Sequence, residues 1–111
     1  MGYCRAVVVG DHVYVAGTAP IPRDGSPPPE DVYEQTRLCL DIIGEALGRA
    51  GASLEDVVRT RIYVTDPASF DGIARAHGEA FRDVRPVNTT VVTSLMDPAW
   101  KVEIEVDAVL R

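Results

Sequence analysis

Near the end of the chain four charged side chains alternate with apolar ones: Lys101, Glu103, Glu105 and Asp107 are interleaved with Val102, Ile104, Val106 and Ala108. That period of two is a strand with one face buried. Three carboxylates therefore line up on the opposite face, where they repel one another and cannot enter a dry core unpaired. They must face water, a polar pocket or cations, and a carboxylate in a pocket can hold a water molecule and move its proton. Cations are available from residues 57–65, where Arg59, Arg61 and Tyr63 fall on one face and Val58, Thr60, Ile62 and Val64 on the other. A third strand, opened by Pro86, sets Asn88, Thr90, Val92 and Ser94 on one side and Val87, Thr89, Val91, Thr93 and Leu95 on the other. Neither side of it is plainly apolar. The implied sheet has one oily face for helices and a second, mixed face carrying charges with Tyr14, Tyr63 and Val92. Such a face suits a subunit interface with polar clefts better than open solvent.

The remaining reactive residues suggest less. Cys4 and Cys39 have no CxxC spacing and no companion histidines, whereas a zinc site takes about four ligands. No metal is expected, and both cysteines read as small apolar residues. His77 falls on the apolar side of a helical pattern and reads as a packed histidine; His12, beside a turn, reads as exposed. Trp100, just before the last strand, is placed to lid a cleft or anchor an interface. The formal net charge of −6 opposes nucleic-acid binding, which gains affinity from basic patches that displace counterions. No apolar run approaches the ~18 residues of a membrane span. The first five residues, Met1-Gly2-Tyr3-Cys4-Arg5, lack a signal-peptide core, and Ala6 breaks a myristoylation pattern, so a cytoplasmic location is expected.

The elements that must position these groups can be read in order. At 111 residues and 46% hydrophobic composition, one folded domain over 1–111 is expected. Two β-branched runs around Gly10-Asp11 form a hairpin over 6–17. Five prolines between 20 and 29 make a surface loop. From Glu30 to Ala50, Val32, Cys39, Ile42, Ile43, Ala46 and Ala50 recur at helical steps, and Gly51 supplies a left-handed stop. A short turn at Ser53–Asp56 leads into strand 57–65. Asp66-Pro67 then starts a second helix, with Phe70, Ile73, Ala74, His77, Ala80 and Phe81 on its apolar side. Strand 87–95, a turn at Asp97-Pro98 and strand 101–110 complete a β-β-α-β-α-β-β order. The class is α+β, a sheet with two helices on one face. So small a domain has little room for a deep private pocket, which favours a site shared between subunits.

The stretches Gly-Ala-Ser-Leu-Glu-Asp-Val-Val-Arg-Thr-Arg-Ile-Tyr-Val-Thr-Asp (51–66) and Lys-Val-Glu-Ile-Glu-Val-Asp-Ala-Val (101–109) resemble the RidA/YjgF family. So do the strand ending Val15-Ala16-Gly17 and the strand-opening Pro86. The resemblance spans nearly the whole chain. It implies a chorismate-mutase-like protomer in a homotrimer with its sheets packed inside, small-molecule clefts between subunits, and hydrolysis of enamines or imines without a cofactor. The family's water-positioning glutamate corresponds to Glu103. The pocket tyrosine corresponds to Tyr3, and the pocket Ser-Gly to Ala16 and Gly17. The arginine that grips the substrate carboxylate is replaced by Asn88, and a frequent cysteine two residues on by Thr90. Asparagine cannot form the bidentate, charge-assisted pair of a guanidinium. That loss is worth about 2–4 kcal/mol in recognising an imino acid. Arg59 or Arg61 could replace the missing cation, or pair across strands with the acids. The family's usual asparagine and tyrosine on the second helix become Ala74 and His77, the segment before Pro86 is shorter, and the leader before Tyr3 is nearly absent. The chain looks like a divergent, arginine-lacking member. Three function classes follow: an imine or enamine hydrolase on a substrate other than a standard imino acid, a non-catalytic ligand-binding or pathway-accessory trimer, and the ribonuclease activity of some relatives, which the negative charge opposes.

Overall fold

The computed structural model describes all of residues 1–111. Its strands are β1 (Ala6–Val9), β2 (His12–Thr18), β3 (Val57–Val64), β4 (Val87–Val92) and β5 (Val102–Val109). Helix α1 (Val32–Arg49) follows the proline-rich loop, and α2 (Phe70–Phe81) joins β3 to β4. The sheet order is β1-β2-β5-β3-β4, antiparallel except for the parallel β3–β4 pair. A parallel pair needs a crossover, and α2 provides it. The element order and the α+β class read from the sequence both hold.

Local chemistry accounts for the element ends. Gly10 and Asp11 form the two-residue turn between the paired Val9 and His12. Asp31 caps α1, its carboxylate accepting from the Glu34 N–H at 3.1 Å. Gly51 takes a φ of 85°, and the Ala52 N–H reaches back to the Leu47 carbonyl at 2.8 Å, closing a Schellman-type end. Asp66 accepts from the Ala68 N–H at 2.9 Å, with Pro67 opening the short 3-10 turn before α2.

Both helices pack on the same face of the sheet. The core joins Val13, Val15, Ile62, Val64, Val102, Ile104 and Val106 from the strands to Cys39, Ile43, Leu47, Ile73 and Phe81 from the helices. Four details differ from the sequence pattern. The buried side of α1 also takes Gln35, Thr36, Leu40 and Leu47, while Ile42 is only half-buried. In α2, Ala76 is buried and Phe70 and Ala74 are exposed, so the buried stripe runs through Ile73, Ala76 and Phe81. A register shift between Val57 and Arg59 turns Val57 rather than Val58 into the core. Cys39 is buried as expected, but Cys4 precedes β1 and is exposed.

The other face of the sheet carries no helix. At its margins stand the exposed Val7, Val9 and Tyr14 and, on β4, Val87 and Val91. The charges lie between them. No helix is long and apolar enough to cross a membrane.

Candidate functional site on the open sheet face

The acids of β5 occupy the middle of the sheet. Register places Glu103 beside Tyr63, Glu105 beside Arg61 and Asp107 beside Arg59. Arg61 Nη1 lies 3.4 Å from Glu105 Oε2 and 3.5 Å from Asp107 Oδ2, and Arg59 Nε lies 3.8 Å from Asp107 Oδ2. The Tyr63 hydroxyl donates to Glu105, and that bond, followed by desolvation, holds the phenol above its ordinary pKa. Both arginines are thus committed to cross-strand pairing. Partly exposed pairs of this kind add little stability; their effect here is to neutralise two of the three acids.

Glu103 is the exception. It makes no ion pair and no side-chain hydrogen bond within the protomer, although it is half-buried in the central strand. Its side chain runs across Gly17, where the β2–β5 register shifts between Val15 and Thr18. A methyl group on Gly17 would overlap Glu103 Oε2 and come within 3.4 Å of Cδ. The irregularity at Ala16-Gly17 and the bare glycine therefore make room for the carboxylate. Burial, and secondarily the Glu103 charge, push the Cys39 thiol far above its ordinary value, which removes it as a nucleophile.

Asn88 and Thr90 stand elsewhere. Their partners in the parallel ladder are Thr60 and Ile62, which face the helices. Within one protomer they are therefore on the opposite side of the sheet from Glu103. The Val92 side chain follows the same rule: it pairs with Val64 and so belongs to the helix side, not to the mixed face. The Asn88 amide is already employed. Nδ2 donates to Thr60 Oγ1 at 2.9 Å and to the Thr60 carbonyl at 3.3 Å, while Oδ1 accepts from the Thr90 hydroxyl at 2.8 Å.

The same Thr60 hydroxyl lies 3.0 Å from His77 Nε2. Thr60 Oγ1 accepts from Asn88 Nδ2, and its contact with His77 Nε2 runs in the direction the ring tautomer sets. Burial alone lowers the His77 pKa from its ordinary 6.5, which favours the neutral ring, and the Phe81 ring packs 4.7 Å away. The unfolded chain then binds this proton more readily than the folded one. Stability should fall as pH drops through about 6.5 and continue falling until the lower folded-state value is passed. Urea midpoints measured between about pH 7.5 and pH 5.5 should show this slope in the wild type and a flatter one in His77→Gln. An identical slope in both would assign it to other groups.

Tyr3 is exposed and lies along a groove between β1 and α1. Trp100 is half-buried in the turn before β5, its N–H bonded to the Asp97 carbonyl at 3.1 Å. Of the residues chosen from sequence, then, one protomer brings together Glu103, Ala16 and Gly17. Two further residues matter that no sequence motif marks. Gln35 is buried, donating Nε2 to the Pro29 and Ala99 carbonyls at 2.7 and 2.9 Å and accepting the Lys101 N–H at 2.8 Å. The readable signal was a polar residue one turn before Cys39 on the helix's apolar side. Arg5 was the other, and its guanidinium lies against the carbonyls of Ala16 and Gly17.

Comparison with known proteins agrees with this architecture. Residues 1–110 match the family described as endoribonuclease L-PSP. An uncharacterized protein of Streptomyces coelicolor is 40% identical over 108 residues, spanning 96% of this chain and 81% of the relative. A RutC family protein of Pyrococcus abyssi is 34% identical over 93% of this chain and 82% of its own length. Among solved structures, a YjgF/YER057c/UK114 family member from Mycobacterium tuberculosis superposes with a TM-score of 0.88 at 47% identity, covering 97% of this chain and 86% of that one. TdcF of E. coli, solved with bound serine, superposes with a TM-score of 0.91 at 28% identity, covering 100% of this chain and 90% of its own.

Proposed function

The chain belongs to the endoribonuclease L-PSP (YjgF/RutC) family, and from that premise we propose that it hydrolyses a small imine or enamine, with Glu103 holding the attacking water. The observation that carries this reading is the solitary carboxylate: Glu105 and Asp107 have cationic or phenolic partners, and Glu103 has none. In the proposed reaction water donates a proton to Glu103 as its oxygen bonds to the imine carbon. The carboxyl returns that proton to nitrogen, giving a carbinolamine; the carboxylate then takes the hydroxyl proton as the carbonyl forms and delivers it to nitrogen as the C–N bond breaks, so that a carbonyl compound and ammonia leave. No electron changes hands, so no redox partner is required.

Substrate choice follows from what surrounds Glu103. Arg59 and Arg61 are engaged with acids, and Asn88 is engaged with Thr60 and Thr90. The one arginine near Glu103 without an acidic partner, Arg5, is turned to the Gly17, Ala16 and Thr18 oxygens, so the open face offers no cation for a substrate carboxylate and the preferred substrate is an imine without one. The same observation favours the second reading, a ligand-binding or pathway-accessory trimer without turnover. The uncovered sheet face, rimmed by Val7, Val9, Tyr14, Val87 and Val91, supports a homotrimer packed through that face, with Asn88, Thr90, Tyr3 and Trp100 meeting Glu103 only across subunits. The reactive metabolite would be met in the cytoplasm, a reducing compartment that suits the free Cys4 and Cys39. The net charge of −6, tripled in a trimer, opposes an RNA substrate.

The test compares two imines generated in situ: 2-iminopropionate from an amino-acid oxidase and a carboxylate-free imine from an amine oxidase. Wild-type protein should speed ammonia release from the second and leave the first nearly untouched, while Asn88→Arg should improve the first. Acceleration of neither imine by either protein would remove the hydrolase reading in favour of binding. A monomer in sedimentation at low micromolar concentration would remove the shared cleft.

A further inference from the structure

On the helix-covered side, α1 does not reach over β1, and a groove of about 760 Å³ remains between them. Its apolar walls include Ala6 and Val8 of β1, Ile21 of the loop after β2, and Ile42 and Ala46 of α1. Its charged groups are Arg5, Arg23, Arg49 and Glu45. Glu45 is shared by Arg23 and Arg49, the latter at 2.7 Å. Arg5 has no acidic partner at all: its guanidinium is oriented by neutral acceptors, the Gly17 carbonyl at 3.3 Å, the Ala16 carbonyl at 3.5 Å and the Thr18 hydroxyl. Three cations against one anion leave the groove positive in a chain whose total is −6.

A cation held by neutral groups at the end of an apolar trough is matched by an anion with an apolar body. We propose that this groove binds a small amphipathic carboxylate, its charge on Arg5 and its hydrocarbon part between β1 and α1. Arg5 suits the role because its hydrogen bonds fix the guanidinium without cancelling the charge. The Arg23–Glu45–Arg49 cluster closes one side by ion pairing among its own members. Volume is adequate for such a ligand, since small-molecule sites run from roughly 300 to 1,000 Å³. The apolar walls of the groove lie on the helix side of the sheet, away from the open face that carries Glu103; Tyr3 and the Gly17 carbonyl border both, and the proposal does not depend on imine hydrolysis.

The probe is octanoate, with octanamide as its neutral isostere and octylammonium as the charge-reversed control, followed by calorimetry and by backbone amide shifts in the NMR spectrum. Octanoate should bind at least about tenfold more tightly than either control, with shift changes at Val8, Ile21 and Ile42. Arg5→Gln should weaken octanoate by a similar factor and leave octanamide unchanged. Val8→Glu places a carboxylate in the groove at a residue 48% exposed on an edge strand, where folding tolerates it, and should cause the same loss. Equal binding of octanoate and octanamide, an unaffected Arg5→Gln protein, or shift changes confined to the open sheet face would each overturn the proposal. Absence of octanoate binding would do so as well.

Discussion

Replacing Gln35 with leucine should lower the free energy of unfolding by about 3 kcal/mol, although leucine is the more apolar residue and the site is fully buried. One amide ties its helix to two separate chain segments there: the proline-rich loop at Pro29 and the stretch from Ala99 to Lys101 that leads into β5. Leucine would leave two carbonyls and one N–H without partners, and an orphaned group costs about 1–3 kcal/mol where water cannot replace the bond. Gain from the added apolar surface offsets part of that sum. Because small domains are stable by only about 5–15 kcal/mol, the urea midpoint should move clearly, with the slope of the transition unchanged. Gln35→Glu is the sharper control. It retains an acceptor for the Lys101 N–H but turns a carboxylate against two carbonyls, so it should be no more stable than the leucine variant. A loss below about 1 kcal/mol in both would show that the loops are held by other contacts. Measurements belong at equal protein concentration, since an oligomer's midpoint depends on it.

The consequence of Gln35 reaches the site. Trp100 stands between the two residues it bonds, Ala99 and Lys101, and Glu103 begins two residues further along β5. A loosened Gln35 contact would therefore free the end of the strand that presents the carboxylate, and catalytic loss should accompany the loss of stability.

How much of this was legible in the sequence follows from what each inference required. Elements came from periodicity and punctuation: Gly51 stops α1, Asp66-Pro67 opens the turn before α2, and alternation in 102–109 gives a strand with one buried face. Those signals are local. Alternation also separates the acids of β5 from its core residues, so the acid stripe was readable. Which acid lacks a partner was not, because that depends on the register of β5 against β3, a property of two distant segments. The same limit hid the position of Asn88. Parity within β4 was read correctly, but only its parallel pairing with Thr60 assigns that parity to the helix side. Val57 replaced Val58 in the core through a register shift that no alternation pattern announces. Residue-by-residue carry-over from a family sets Asn88 where the resemblance expects an arginine, yet it does not say that this asparagine is bonded to Thr60 and Thr90.

The largest functional effect is expected at Glu103. Glu103→Gln keeps the size of the side chain and an oxygen acceptor but removes the group that can take a proton from water. Loss of a general base costs about 10²–10⁴ in rate, so the variant's acceleration of the carboxylate-free imine should fall to the level of the buffer. Stability should change little, because Glu103 forms no ion pair or side-chain hydrogen bond whose loss would be felt. Gly17→Ala separates position from chemistry. Its new methyl would overlap Oε2, and the clash is relieved by moving the far end of a flexible side chain rather than backbone. The fold should persist while the carboxylate shifts from its place, and displacement on the order of 1 Å can cost about 10²-fold in rate. If Gly17→Ala unfolds the protein, the strand irregularity at residues 16–17 is a packing device first. If both variants fold and retain full activity, the solitary carboxylate is not the base, and the partnerless Glu103 would instead be a group awaiting its cation from a neighbouring subunit.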